Sequence, residues 1–235
     1  MQYVRIIREN FTKIRSRNLS LAIFDLDNTL LAGDSDVLWG QYLVEKGIVD
    51  EETYSSENQR FYDEYNNGTL DIYEFLAFSL KPLSEHPLEK LHQWRLEFMQ
   101  NKIQDILLPK AIDLISKHKE IGDTLIIITA TNRFVTEPIA DLLGIPHLLA
   151  TDPEMKNNAY TGKVAGEPCF QEGKVIRLNH WLKENNQNLE GSCFYSDSHN
   201  DLPLLKLVGE AIAVDADDIL GDYATKHNWK TMSLR

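Results

Sequence analysis

Two carboxylates two residues apart carry the first chemical signal: Asp25 and Asp27, in Asp25-Leu26-Asp27-Asn28-Thr29. They follow Leu21–Phe24, an apolar run with the length and composition of a buried strand. Side chains two apart on extended backbone point the same way. The pair therefore sits just past the carboxyl end of a strand, where open α/β sheets place their ligands. The pattern D-x-D-x-T is weakly specific by itself, and its place behind an apolar run gives it weight.

A second strand-like run, Cys193–Tyr195, leads into Ser196-Asp197-Ser198-His199-Asn200-Asp201. Ser, Asp and Asn also open helices, so capping is the plainer reading. Yet four aspartates on adjacent strand ends would repel strongly. Two unit charges about 4 Å apart interact by roughly 4 kcal/mol at an effective dielectric of about 20. A hard, oxygen-ligated cation, most simply Mg2+, relieves that repulsion and implies an anionic, oxygen-rich substrate. A third run, Leu125–Ile128, ends in Thr129-Ala130-Thr131-Asn132. A hydroxyl with free backbone amides makes a small anion cradle there, or else a simple N-cap for a helix starting near Phe134. Lys174 lies at the start of another helical stretch, where its charge opposes the helix dipole. It is either a solvated lysine or the partner of a nucleophilic carboxylate and a bound phosphate.

The elements that would position these residues alternate. Apolar runs at Leu21–Phe24, Leu125–Ile128, Cys193–Tyr195 and Ala211–Val214 are separated by amphipathic stretches at Pro109–Glu120, Phe134–Leu143 and Gly173–Glu184. That order predicts a Rossmann-like α/β core, a parallel sheet with helices on both faces. Residues 34–105 break the alternation with helical periodicity, predicting a helical cap inserted after the first strand. The expected division is a basic extension at 1–18, a core of 19–33 with 106–235, and a cap of 34–105. Asp152–Gly166, with Asn157-Asn158 at its middle, reads as a β-hairpin on the rim.

Composition narrows the function classes. The 235 residues carry 24 Lys+Arg against 36 Asp+Glu, a net charge of −12. That excess of acid argues against non-specific nucleic-acid binding, which needs a basic face. No apolar run approaches the roughly 20 residues of a membrane-spanning helix. The N-terminus shows no signal-peptide pattern, and the two cysteines, Cys169 and Cys193, suggest neither a metal knuckle nor a disulfide framework. A reduced, cytoplasmic setting is the expectation. The first 20 residues place Val4, Ile7, Phe11 and Ile14 at helical spacing among five basic side chains. They read either as a short basic helix or peripheral terminus, or as a membrane-surface amphipathic helix.

Taken in order, Asp25-x-Asp27-x-Thr29, Thr129, Lys174 and Asp197-x-x-Asn200-Asp201 resemble the haloacid dehalogenase-like superfamily of phosphotransferases over roughly residues 19–230. The helical insert is similar to the cap of its phosphoserine phosphatase-like branch. Asp34–Trp39, Ile128–Thr136 and Phe194–Ser198 look like a bacterial subgroup labelled histidinol-phosphatase. The resemblance implies a Mg2+-dependent phosphomonoesterase in which Asp25 is the nucleophile, forming an aspartyl-phosphate, and Asp27 the general acid and base. Mg2+ would bind Asp25, the Asp27 carbonyl and Asp197, with Asp201 orienting metal-bound water. Thr129, the Ala130 amide and Lys174 would hold the phosphoryl oxygens, and Asn200 would contact the substrate side. A non-catalytic binding module on the same fold is the alternative of another class, disfavoured because Asp25 and Asp27 are both present.

The expected substrate is a small phosphomonoester. Phosphoserine phosphatases carry an acid nine positions after the nucleophile that meets the substrate amine; here that is Asp34, which otherwise caps a helix. Their carboxylate-clamping cap arginine, aligned on Gly68, falls on Ala77. Arg60, Arg95 or Arg133 would have to replace it. An amine partner without a carboxylate clamp suits an amino-alcohol phosphate, histidinol phosphate foremost, over phosphoserine; phosphoserine, phosphoethanolamine, phosphocholine and a lipid head-group phosphate stay open as alternatives. Trp39, Tyr62, Tyr65, Phe78 and Trp94 read as core residues, or as aromatic surface for a ring or quaternary amine.

Overall fold

The computed structural model describes residues 20–235. The basic segment 1–18, with both readings given for it, lies outside the described residues. In chain order the elements are β1 (Leu21–Phe24), α1 (Ser35–Glu45), α2 (Glu51–Asn66), α3 (Ile72–Ser79), α4 (Lys81–Ser84), α5 (Leu88–Phe98), α6 (Pro109–Ile121), β2 (Thr124–Asn132), α7 (Arg133–Leu143), β3 (His147–Lys156), β4 (Ala159–Ala165), α8 (Glu172–Asn185), β5 (Cys193–Ser196), α9 (Leu202–Leu205), β6 (Glu210–Val214), α10 (Asp218–His227) and β7 (Lys230–Met232). A π turn and a 3-10 turn over 99–106 join α5 to α6.

The seven strands form one sheet in the order β4-β3-β2-β1-β5-β6-β7. All neighbours are parallel except β3 and β4. The order reverses at β1: the chain goes to β2 on one side and later to β5 on the other. The crevice above such a reversal is where this architecture binds ligands. The side-chain period of β1 divides the core. Ala22 and Phe24 pack with Ala111, Ile115, Phe134 and Ile139 of α6 and α7. Leu21 and Ile23 pack with Leu178, Trp181, Leu204 and Leu220 of α8, α9 and α10. Helices therefore cover both faces.

Between β1 and β2 the described chain is helical. Asp34, Asp50 and Asp71 cap α1, α2 and α3, each carboxylate accepting N–H groups of the first turn. The two ends of this helical insertion run side by side, where the Ala32 N–H donates to the Ile106 carbonyl at 2.7 Å. The hairpin forms at β3–β4 through Asn157 and Asn158, both with positive φ, the two-residue turn that suits sheet twist.

Three features differ from the sequence reading. β2 continues through Thr129–Asn132 as extended chain with a register irregularity against β3, and α7 starts directly at Arg133 with Asn132 as its cap. β3 begins at His147, so Leu148–Ala150 form a core strand before the hairpin. β7 is a short, exposed edge strand without apolar alternation to announce it.

Candidate active site

The carboxyl ends of β1, β2 and β5 and the start of α8 converge on one cavity of about 340 Å³. Asp25, Asp27, Thr129, Ala130, Lys174, Asp197, Asn200 and Asp201 line it together with Asp34. The sequence scattered these residues over 177 positions, and the parallel sheet brings them to one rim.

At the centre the Lys174 ammonium lies between two carboxylates, 2.7 Å from Asp25 Oδ1 and 2.7 Å from Asp201 Oδ1. Burial works against its charge, but Asp201 and Asp25 outweigh that and hold the lysine protonated well above its ordinary range. Lys174 is therefore no solvated surface lysine; it is 3% exposed. Asp201 also accepts from Ser196 Oγ at 2.7 Å, so both its oxygens are engaged. Burial lifts Asp25 to about 7, opposed by Lys174 and reinforced by Asp201 and Asp27. Asp197 is pushed well up by burial and by Asp25 and Asp201. Thr29 joins the two loops: its hydroxyl donates to Asp197 Oδ1 at 3.0 Å and accepts the Asp197 N–H at 3.1 Å.

Asp27 occupies different surroundings. Its oxygens accept from the Ser35 N–H at 2.6 Å, Thr131 Oγ1 at 2.8 Å and Thr129 Oγ1 at 3.4 Å. Burial and the neighbouring Asp34 charge nevertheless raise it to about 6, against those hydrogen bonds. Asn28, at φ +56°, turns the chain immediately after Asp27. Two carboxylates two residues apart thus meet different partners, one a lysine and the other neutral donors.

The donor set fits a small divalent cation. Asp25, Asp27, Asp197 and Asp201 are all oxygen donors, and Lys174 pairs with only two of them, Asp25 and Asp201. Among the described residues no group of three or more His, Cys, Asp or Glu forms a cage. Asp25 and Asp197, with the Asp27 carbonyl, are the groups that could hold such a cation, water and substrate oxygens completing its shell.

The family model for haloacid dehalogenase-like hydrolases matches residues 22–206. The chain belongs to that family. The hydrolase is 42% identical over 220 residues to a histidinol-phosphatase of Neisseria meningitidis serogroup C (strain 8013), covering 92% of this chain and 99% of that protein. A crystal structure of a protein of unknown function from Bordetella pertussis Tohama I superposes with a TM-score of 0.88 at 39% identity, covering 93% of this chain and all of that one. A substrate-bound phosphoserine phosphatase shares the fold, with a TM-score of 0.69 at 21% identity over 94% of this chain and 95% of that one. This haloacid dehalogenase-like hydrolase is a phosphatase.

The rest of the hydrolase's cavity separates expectation from placement. Asp34 caps α1 through the Asp36 and Val37 N–H groups and also lines the cavity, so capping does not remove it from the site. Arg133 is a correction: it does not reach the cavity, because Asp152 holds its Nε at 2.5 Å and the Leu148 carbonyl accepts from it at 3.1 Å. Arg60 is engaged by Glu57, Glu64 and Glu74, and Arg95 by the Phe134 carbonyl and Glu137. Ala77, where the clamping arginine would fall, is exposed, and α3 turns Ile72 and Phe75 to the cavity. Of the aromatics, Tyr62 and Tyr65 line the cavity. Trp39 and Trp94 are core residues, and Phe78 packs on Tyr54 and Phe61. Asn200 lines the cavity while bonding Gln171 and the Tyr65 carbonyl.

The sequence assigns no role to Thr29, Thr131 or Ser196, whose hydroxyls hold the acids, and offers Ser35 only as an alternative helix cap, whereas Asp34 is the cap and the Ser35 N–H binds Asp27. It also assigns none to Asp36, which lines the cavity and accepts from Asn132 Nδ2 at 3.2 Å. Asp36 was visible as a second acid beside Asp34. The supporting hydroxyls carried no signal beyond their proximity to the motifs.

Proposed function

We propose that the enzyme hydrolyses a small amino-alcohol phosphate, histidinol phosphate foremost, through an aspartyl-phosphate on Asp25. One observation carries the substrate choice: beyond the reacting end, the cavity wall presents Asp34, Asp36 and the rings of Phe61, Tyr62, Tyr65 and Phe75, and no arginine of the cap. Carboxylates and aromatic faces suit an amine and an imidazole, whereas a substrate carboxylate would meet repulsion. The Neisseria relative's name accords with this.

The residues divide the chemistry. An Asp25 carboxylate oxygen attacks phosphorus as the ester P–O bond breaks, and the Asp27 proton goes to the departing alkoxide. In the second half a water oxygen attacks the aspartyl-phosphate, its proton returns to Asp27, and Asp25 leaves as carboxylate. Lys174, the Thr129 hydroxyl and the Ala130 amide take the phosphoryl oxygens. Asp201 holds Lys174 between itself and Asp25. A bound Mg2+ supplies the positive charge that keeps Asp25 ionised and offsets the phosphoryl charge.

The test is phosphate release from histidinol phosphate and phosphoserine at matched Mg2+, with Asp25→Asn as control. Faster turnover of phosphoserine rejects the substrate assignment, and turnover by Asp25→Asn rejects the mechanism. One observation favours phosphoserine as a second reading: Arg235 lines the cavity mouth beside Asn28. If Arg235 clamps a substrate carboxylate, Arg235→Gln raises KM for phosphoserine and leaves that for histidinol phosphate unchanged.

A further inference from the structure

We propose that Gln171 is a positioning residue for Lys174, acting through the turn that starts α8 and through its side-chain bond to Asn200. The proposal rests on the reading of Lys174 as the phosphoryl-binding cation.

Residues 170–173 form a β-turn, closed by the Gly173 N–H donating to the Phe170 carbonyl at 2.7 Å. Gln171 stands at its first central position with φ 46° and ψ −118°. Those are type II′ angles, a conformation that glycine ordinarily supplies because a Cβ is strained there. A strained side chain persists where its surroundings hold it, and such residues gather at functional sites. Glycine would make the same turn without strain, so the retained feature is the amide of Gln171.

That amide has a partner. Gln171 Nε2 donates to Asn200 Oδ1 at 2.8 Å, and Asn200 Nδ2 donates to the Tyr65 carbonyl at 3.3 Å, in the last turn of α2 in the cap. On the other side, the Gln171 carbonyl accepts the Lys174 N–H at 3.1 Å. The turn has little freedom to drift, since a Cβ on Gly173 would stand 1.9 Å from the Pro168 carbonyl oxygen. A continuous chain of contacts therefore runs from the backbone of Lys174, through Gln171 and Asn200, to the cap helix. Gln171 is not among the residues lining the cavity, so its influence on turnover passes through Lys174 and Asn200.

The experiment uses the full chain with Mg2+ and p-nitrophenyl phosphate and histidinol phosphate as probes. Gln171→Gly is expected to melt at the wild-type temperature or a few degrees above it, because the strain is relieved, while kcat falls about 5- to 20-fold on both probes. Asn200→Ala breaks the same chain, so the double variant is expected to lose no more than the worse single variant. Three results overturn the proposal: kcat of Gln171→Gly within twofold of wild type, a lowered melting temperature accompanying the lost activity, or losses that multiply in the double variant. Lys174→Ala in parallel separates the two levels. If it retains turnover, the Lys174 reading falls and takes this one with it. If it is inactive while Gln171→Gly is not impaired, only the positioning role falls.

Discussion

Asp25 and Asp27 share a strand end, yet they meet different neighbours, which suits the different roles proposed for them. Lys174 faces Asp25 and favours its carboxylate, while Asp27 is held by Ser35, Thr129 and Thr131 with a pKa near 6. A proton donor that leaves at such a pH serves a poor leaving group and is dispensable for a good one. Asp27→Asn is therefore expected to lower histidinol phosphate turnover by about 10²- to 10⁴-fold. The same variant should still release a first-turnover burst of nitrophenolate from p-nitrophenyl phosphate; absence of that burst places Asp27 in the nucleophilic step instead. Asp36 offers a second test. Burial, with Asp34 and Asp27 nearby, raises it to about 8 from an ordinary 3.8. Between those values the folded chain holds a proton that the unfolded chain releases, so stability falls as pH rises through that window. Asp36→Asn removes this loss. Its gain in melting temperature at pH 8 should exceed that at pH 5 by several degrees, and an equal gain at both would contradict the linkage.

At the scale of elements, strands with a strong apolar signature were legible and those without one were not. Leu21–Phe24 was read to the residue because all four side chains are buried on both faces of a central strand. β7 has three exposed residues and pairs only through its backbone, so nothing in its side chains marks it. Thr129–Asn132 looked like a turn because polar residues follow an apolar run; the chain instead stays extended, and Asn132 caps α7 at once. One unforeseen tie holds α6 to the sheet. His118 in its last turn bonds Asp123 at 2.7 Å and the Tyr195 hydroxyl at 2.9 Å, and Tyr195 stacks on Phe24. His118→Ala leaves both partners short of a bond, costing about 2 kcal/mol. In a chain of this size that lowers the melting temperature by about 4–8 °C in a thermal unfolding scan, and an unchanged midpoint would show the network to be idle.

For the molecule as a whole, the net charge of −12 has a counterpart at the cavity. Eight aspartates line the cavity against two cations, Lys174 and Arg235. Such a crowd is less stable empty than filled. Adding Mg2+ should raise the melting temperature, in proportion to the logarithm of its concentration above Kd, and chelation should lower it and stop turnover. Asp197→Asn removes one of the proposed ligands and one repelling charge. It should leave the chelated protein as stable as wild type or more so, while abolishing the Mg2+-dependent rise; a rise of wild-type size would move the cation elsewhere. Among the described residues no helix is long and apolar enough to cross a membrane.

By itself the sequence determined the alternation of strand and helix, the helical insertion and the ordered run of acids, threonine and lysine, because each is a local pattern of side-chain type and spacing. Only the tertiary structure decided which arginines are engaged elsewhere, which face of α3 meets the cavity and which amide bonds Asn200. Those depend on partners distant in the chain, such as Asp152 for Arg133 and Asn200 for Gln171, and a hydrogen bond across the fold leaves no periodicity behind in one sequence.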